Sequence, residues 1–168
     1  MITNELERMF GEFIAEHYRA SSTVTQDDLS AYTVEFVGGS IAGQRLHIRC
    51  GETAEEQTLP RLVITASEGD EDFDTGNQFI DLTVAISYPV DPTTDVSDQF
   101  ARLNMETERM RDLLFVDNLQ TAVPAAVTTP FDALVIGCAG RSTSSEYSEH
   151  TRTHKLTLRL YCAGLETT

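Results

Sequence analysis

Ile80-Asp81-Leu82-Thr83-Val84-Ala85-Ile86-Ser87-Tyr88 alternates large apolar residues with smaller or polar ones without a break. A period of two over this length puts one face of a strand on a core and the other toward water or a partner. Upstream, Leu62, Ile64 and Ala66 alternate with Arg61, Thr65 and Ser67. Between the two runs lies Glu68-Gly69-Asp70-Glu71-Asp72-Phe73-Asp74-Thr75-Gly76-Asn77, rich in turn formers and charge, so the pair reads as a hairpin. Downstream, Pro89-Val90-Asp91-Pro92 stops the strand. Thr94 or Asp95 then caps a helix running to about Val116.

The remaining elements fall around this unit. Leu6, Met9, Phe10, Phe13, Ile14, His17 and Tyr18 form one apolar stripe, predicting a helix over residues 3–20 with Asn4, Glu5, Glu7 and Glu12 off the stripe. Residues 24–43 are ambiguous: Thr25 with Asp28 suits a short helix around Asp27–Tyr32, whereas Thr33–Val37 suits a short strand. Leu46, Ile48 and Cys50 alternate with His47 and Arg49, a further strand. The 95–116 helix turns Val96, Phe100, Leu103, Met110, Leu113 and Leu114 inward, leaving the Glu106–Arg109 and Glu108–Arg111 pairs outside. Asp117–Pro130 reads as a loop or a short turn of helix. The unbroken apolar run Ala133–Ala139 predicts a central strand covered on both faces, with Gly140–Glu149 as a polar arm. Lastly His154, Leu156, Leu158, Leu160 and Cys162 alternate with polar neighbours as a half-buried strand. The expected fold is α+β: one domain over residues 1–168, with a largely antiparallel or mixed sheet of about four to five strands. Its N-terminal and long mid-chain helices pack on one face.

Composition narrows the function. With 27 acidic against 12 basic residues the 168-residue chain carries a net charge of −15, which argues against a nucleic-acid clamp that neutralises phosphates. Three cysteines are too few and too odd for a disulfide scaffold and suit a reducing compartment. No apolar run is long enough to span a bilayer, and Met1 leads straight into a helix, so a soluble protein assembled inside a cell is expected.

A search for chemistry returns little. Asp70, Asp72 and Asp74 imitate the start of a calcium loop, but Thr75 stands where the glycine belongs and Asp81 sits inside a strand. Gly38–Gly43 lacks the Lys-Ser/Thr of a phosphate loop, since Gln44 follows. His150 and His154 lie four apart with Cys162 beyond, yet along a strand that spacing spreads them by about 13 Å. His17 reads as a core or interface histidine, and Cys138 and Cys162 as small buried hydrophobes on neighbouring strands. The chain therefore reads as a non-enzyme with no cofactor and no metal.

Leu59-Pro60-Arg61-Leu62-Val63-Ile64-Thr65, the acidic turn and the strand ending Ser87-Tyr88-Pro89 resemble the tail terminator, or tail-completion, proteins of long-tailed phages and tail-like particles. The resemblance spans Ile2 to Cys162 as a pattern of elements, and that family has no catalytic residues to carry over. It implies a homo-hexameric ring on the head-proximal end of the tail tube. Such a ring ends tube polymerisation and joins the tube protein to the neck or head-closure connector. DNA passes through its lumen without specific binding. The implied location is the virion, after assembly in the host cytoplasm. The residues expected at interfaces or the lumen are Asp70, Glu71, Asp72 and Asp74 in the turn, Glu146 and Glu149 in the arm, and Thr157 and Arg159 on a strand edge at 151–162. Another neck or tail component, such as a head-closure or tube subunit, is the nearest alternative. A small-ligand-binding cytoplasmic domain is a further one, and would need a deep pocket with convergent polar groups.

Overall fold

The computed structural model describes residues 2–51, 59–71, 75–90, 96–132, 134–148 and 150–163. The chain runs α1 (Ile2–Arg19), β1 (Ser22–Asp28), β2 (Ala31–Phe36), a 3-10 turn (Gly39–Ile41), β3 (Arg45–Cys50), β4 (Arg61–Glu71) and β5 (Gln78–Pro89). It continues with α2 (Val96–Leu114), α3 (Leu119–Ala126), β6 (Val135–Tyr147) and β7 (Thr151–Cys162). One 7-stranded sheet has the order β1-β2-β3-β4-β5-β7-β6. Only β3–β4 pairs in parallel; the other neighbours are antiparallel. The α+β class and mixed sheet are as expected, but the strand count exceeds the expected four to five.

Strand β5 has the position its alternation demands. Ile80, Leu82, Val84, Ile86 and Tyr88 are each at most 1% exposed. They continue sideways into Leu62 and Ile64 of β4 and Leu156, Leu158 and Leu160 of β7, in register. A fully buried side chain of this size contributes about 1.5–3 kcal/mol, so this apolar face dominates the core. Helix α1 covers β1–β4, α2 covers β5 and β7, and α3 sits beside α1 and β6, with one continuous core beneath.

Three expectations need correcting. Residues 22–36 form a hairpin, not a helix around 27–32. Asp28 Oδ1 accepts the Ser30 N–H at 2.7 Å and Asp27 accepts the Thr33 hydroxyl at 2.6 Å, so both acids serve the hairpin where a helix cap was expected. The 133–139 run is not central: β6 is the outermost strand, with Leu134 and Ile136 exposed. Conversely, β7 lies between β5 and β6, so residues 151–162 offer no free edge and Thr157 and Arg159 cannot extend a sheet from there. Residues 119–126 fold as a short helix burying Leu119 and Val123, the turn of helix expected within 117–130.

Helix α1 is buried on more than its apolar stripe. Glu7 and Glu12, expected off the core, are each only 8% exposed. Glu7 accepts the Ala66 N–H at 3.0 Å. Glu12 accepts both the N–H and the hydroxyl of Thr128 at 2.9 Å and the Thr129 N–H at 3.2 Å. Glu5 accepts the Asp132 N–H. The helix comes this close because residue 11 is glycine: a Cβ there would collide with Cys50 Sγ, while Ile64 and Tyr32 would lie at ordinary contact distance. Gly11→Val is expected to cost about 1–3 kcal/mol in denaturant unfolding. Adding Cys50→Ala should return part of that loss, and a strictly additive pair would show that the clash lies elsewhere.

Candidate assembly surfaces and clefts

The helices cover one face of the sheet; among the described residues no helix covers the other, the bare face, whose residues are mostly half-buried. Strand register sorts the bare face into rows. Thr83 stands between Thr65 and Thr157, and Asp81 between Ser67 and Arg159. Thr83 and Thr157 hydroxyls bond at 3.2 Å, and Ser87 and Thr153 at 2.7 Å, so the centre of this face is a carpet of paired small hydroxyls. Around it lie Arg45, His47, Arg49, Arg61, Lys155 and Arg159 beside Asp27, Glu35, Asp81 and Glu146. Among the described residues, acids and bases are nearly balanced here.

Two strand ends form exposed projections. Residues 67–71 of β4 and 141–147 of β6 are exposed at every position, the second of them across a cleft from α2. Of the residues expected at interfaces, Asp70 and Glu71 lie on the first projection. Asp70 pairs with Arg159 at 3.6 Å, and that guanidinium also sits 4.9 Å over the Phe79 ring. Glu146 lies on the second and takes a 2.7 Å bond from Lys155, the single lysine of the chain. Thr157 and Arg159 are on the bare face, inside the sheet. Asp72, Asp74 and Glu149 fall outside the described residues. The structure therefore groups Asp70 with Arg159 and Glu146 with Lys155, and separates the two pairs across the sheet.

No cluster of three or more His, Cys, Asp or Glu suited to a metal occurs among the described residues. His154 and Cys162 sit far apart along β7, and His154 Nδ1 lies 3.1 Å from the Thr107 hydroxyl. Cys162 is buried and its thiol pKa is pushed up to about 11 by loss of water; Cys138 is half-buried and donates to the Gly140 carbonyl. No helix among the described residues is long and apolar enough to cross a membrane. Clefts open at two places among the described residues. One of about 640 Å³ is lined by Asn4, Glu7, Arg8, Cys50, Gly51 and Asp81. The other, about 440 Å³, runs between α2 and β6–β7 past Asn104, Glu108, Arg111, Thr143 and His154.

Neither protein-family models nor curated proteins give a match to this sequence.

One polar cluster was not legible as such. Glu106, expected on the outer face of α2, is fully buried. It falls on the stripe of Leu103, Met110 and Leu114, and the Arg109 three residues on disguises it as a surface pair. Tyr18 donates its hydroxyl to Glu106 Oε2, and Arg109 Nε stands 3.9 Å away. Arg109 also lies 5.0 Å over the Tyr18 ring and Arg102 5.1 Å over Tyr88. Glu106 Oε1 has no partner among the described residues. Burial raises the Glu106 pKa, and the Tyr18 bond with the two arginines offsets this only in part. With the folded pKa raised, the folded chain holds the proton more firmly than the unfolded one. The site's contribution is therefore fullest below the ordinary carboxylate value and weakens as pH rises through the folded pKa. Glu106→Gln should match or exceed the wild type in thermal stability near neutrality and show a flatter dependence as pH rises above the ordinary carboxylate value. Glu106→Ala, which strands the Tyr18 hydroxyl and opens a cavity, should lose about 2–4 kcal/mol. Parallel pH profiles for the Glu106→Gln variant and wild type would refute the assignment.

Proposed function

We propose that this chain is a structural subunit of a phage-type tail: a tail terminator that closes as a ring on the head-proximal end of the tube and joins tail to neck. The observation that carries this reading is the division of the sheet. One face is buried under helices, the other carries a carpet of small hydroxyls that no described helix covers, and two strand ends, 67–71 and 141–147, are exposed at every position. Surfaces of this kind suit assembly, where a neighbouring subunit covers what one copy leaves open. The order of helix, hairpins, helix and closing hairpin agrees with the resemblance read from the sequence. The acidic β4–β5 turn, with Asp70 and Glu71, is the arm suited to a wall that DNA passes without sticking, because carboxylates repel phosphate. A near-neutral bare face is better suited to contacts between subunits.

Native mass spectrometry over a concentration series, with negative-stain imaging, tests this. Rings of six with an open centre that cap purified tail tubes are expected. Long tubes would move the assignment to a tube subunit, and a monomer that never caps tubes would overturn it. Thr157→Asp, which puts a charge in the middle of the bare face, should weaken the ring while leaving the melting temperature nearly unchanged. The 640 Å³ cleft favours a second reading, a small-ligand-binding domain, because Glu7, Arg8 and Asp81 line it together. A polar metabolite that stabilises a non-assembling chain would support that reading instead.

A further inference from the structure

Three strand edges lack a backbone partner on one side, and the fold treats them differently. On β1, the Val24 carbonyl receives Arg19 Nη1 at 3.3 Å. On β4, beyond the last β3 pair at Ile64, the Ala66 N–H is taken by Glu7. Both of these closures come from α1. On β6 no helix side chain closes the edge in this way among the described residues, although it is the longest strand. Residues 135–147 contain no proline and no lysine, and the register shifts of β6 fall before Arg141, which leaves 141–147 a regular edge.

The orientation of its free groups follows from register. Ser148 N–H donates to Thr151 O at 2.9 Å, and the ladder continues Glu146 opposite Thr153, Ser144 opposite Lys155 and Ser142 opposite Thr157. Bonded and non-bonded pairs alternate in an antiparallel ladder. Ser142, Ser144 and Glu146 therefore turn their backbone groups toward β7, while Arg141, Thr143, Ser145 and Tyr147 turn theirs outward. That outward run is symmetric about Ser144.

We infer that β6 takes up the β6 strand of a second copy of this chain, antiparallel, about a two-fold axis at Ser144. In this register Thr143 faces Ser145 of the other copy, and all four outward residues exchange backbone bonds. Arg141 faces the partner's Tyr147, an exposed ring that already accepts a guanidinium, Arg152, at 4.5 Å within the chain. Glu146 faces Ser142, so no like charges oppose each other. This matters in a chain of net charge −15, because β6 carries only one acid and one base. It is a strip on which two such chains meet without local repulsion. The contact is isologous and separate from the head-to-tail contacts of a ring, so it stands whether or not a ring forms.

Cysteine scanning of the full chain in a Cys138→Ser background tests the pairing. Residues at a two-fold axis in a non-bonded pair lie within disulfide reach, whereas positions two residues away do not. Ser144→Cys should give a covalent dimer under mild oxidation and Ser142→Cys should not. Equal cross-linking of both, or of neither, overturns the register. Independently, Ser145→Pro removes an outward N–H and leaves the β6–β7 bonds in place. Sedimentation should then show wild type, as a dimer or as paired rings, at twice the mass of the Ser145→Pro variant, whose circular dichroism is unchanged. Added salt, which screens the net charge, should favour the pairing. A wild type that stays unpaired at high salt, or a Pro variant that still pairs, overturns the proposal.

Discussion

Carboxylates on a buried helix are tolerated only where backbone donors wait for them, and that condition organises this fold. Helix α1 presses against four strands, and its Glu7 and Glu12 would be buried at prohibitive cost without the N–H groups of Ala66, Thr128 and Thr129. Each bond acts twice. It offsets the desolvation of a charge, and it satisfies a donor that no strand or helix could reach. Burial alone would raise the Glu12 pKa, but the donors from Thr128 and Thr129 bring it below the ordinary value. The helix thus ties the open edge of β4 to the segment after α3, regions separated by a long stretch of chain.

Period decided what could be read in advance. β5, β4 and β7 announce themselves because one face of each is covered and the other is not, which writes a strict alternation into the sequence. Helices α1 and α2 show their stripes for the same reason. β1 and β2 carry a weaker signal: the outer positions of β1 are largely exposed on both sides, so selection for core residues is slight and Asp27 and Asp28 look like helix-cap chemistry. The run Ala133–Ala139 misleads in the opposite direction, since an edge strand that remains apolar looks like a central one. Glu106 misleads because a charge at a core position is rare, and its spacing to Arg109 matches the commonest surface pair. Gly11 carried no local signal. Its reason is Cys50, distant in sequence and adjacent in space.

The candidate residues were legible as a set of exposed charges and illegible as a geometry. Asp70 with Arg159 and Glu146 with Lys155 are cross-strand partners, which no local pattern reveals because each pairing depends on how the strands are laid side by side. Such exposed pairs contribute little to stability. Their effect is to hold arms in place and to fix which surfaces are neutral and which remain acidic.

The rarity of lysine has a practical side. Eleven of the twelve basic residues are arginine, which amine reagents ignore, so Lys155 is the one side chain of the chain that an amine-directed acylating label can modify. It sits in β7 on the bare face, held by Glu146 across the adjacent strand. A single acyl group therefore reports on that face: whatever covers the sheet shields the amine, and whatever leaves it uncovered does not.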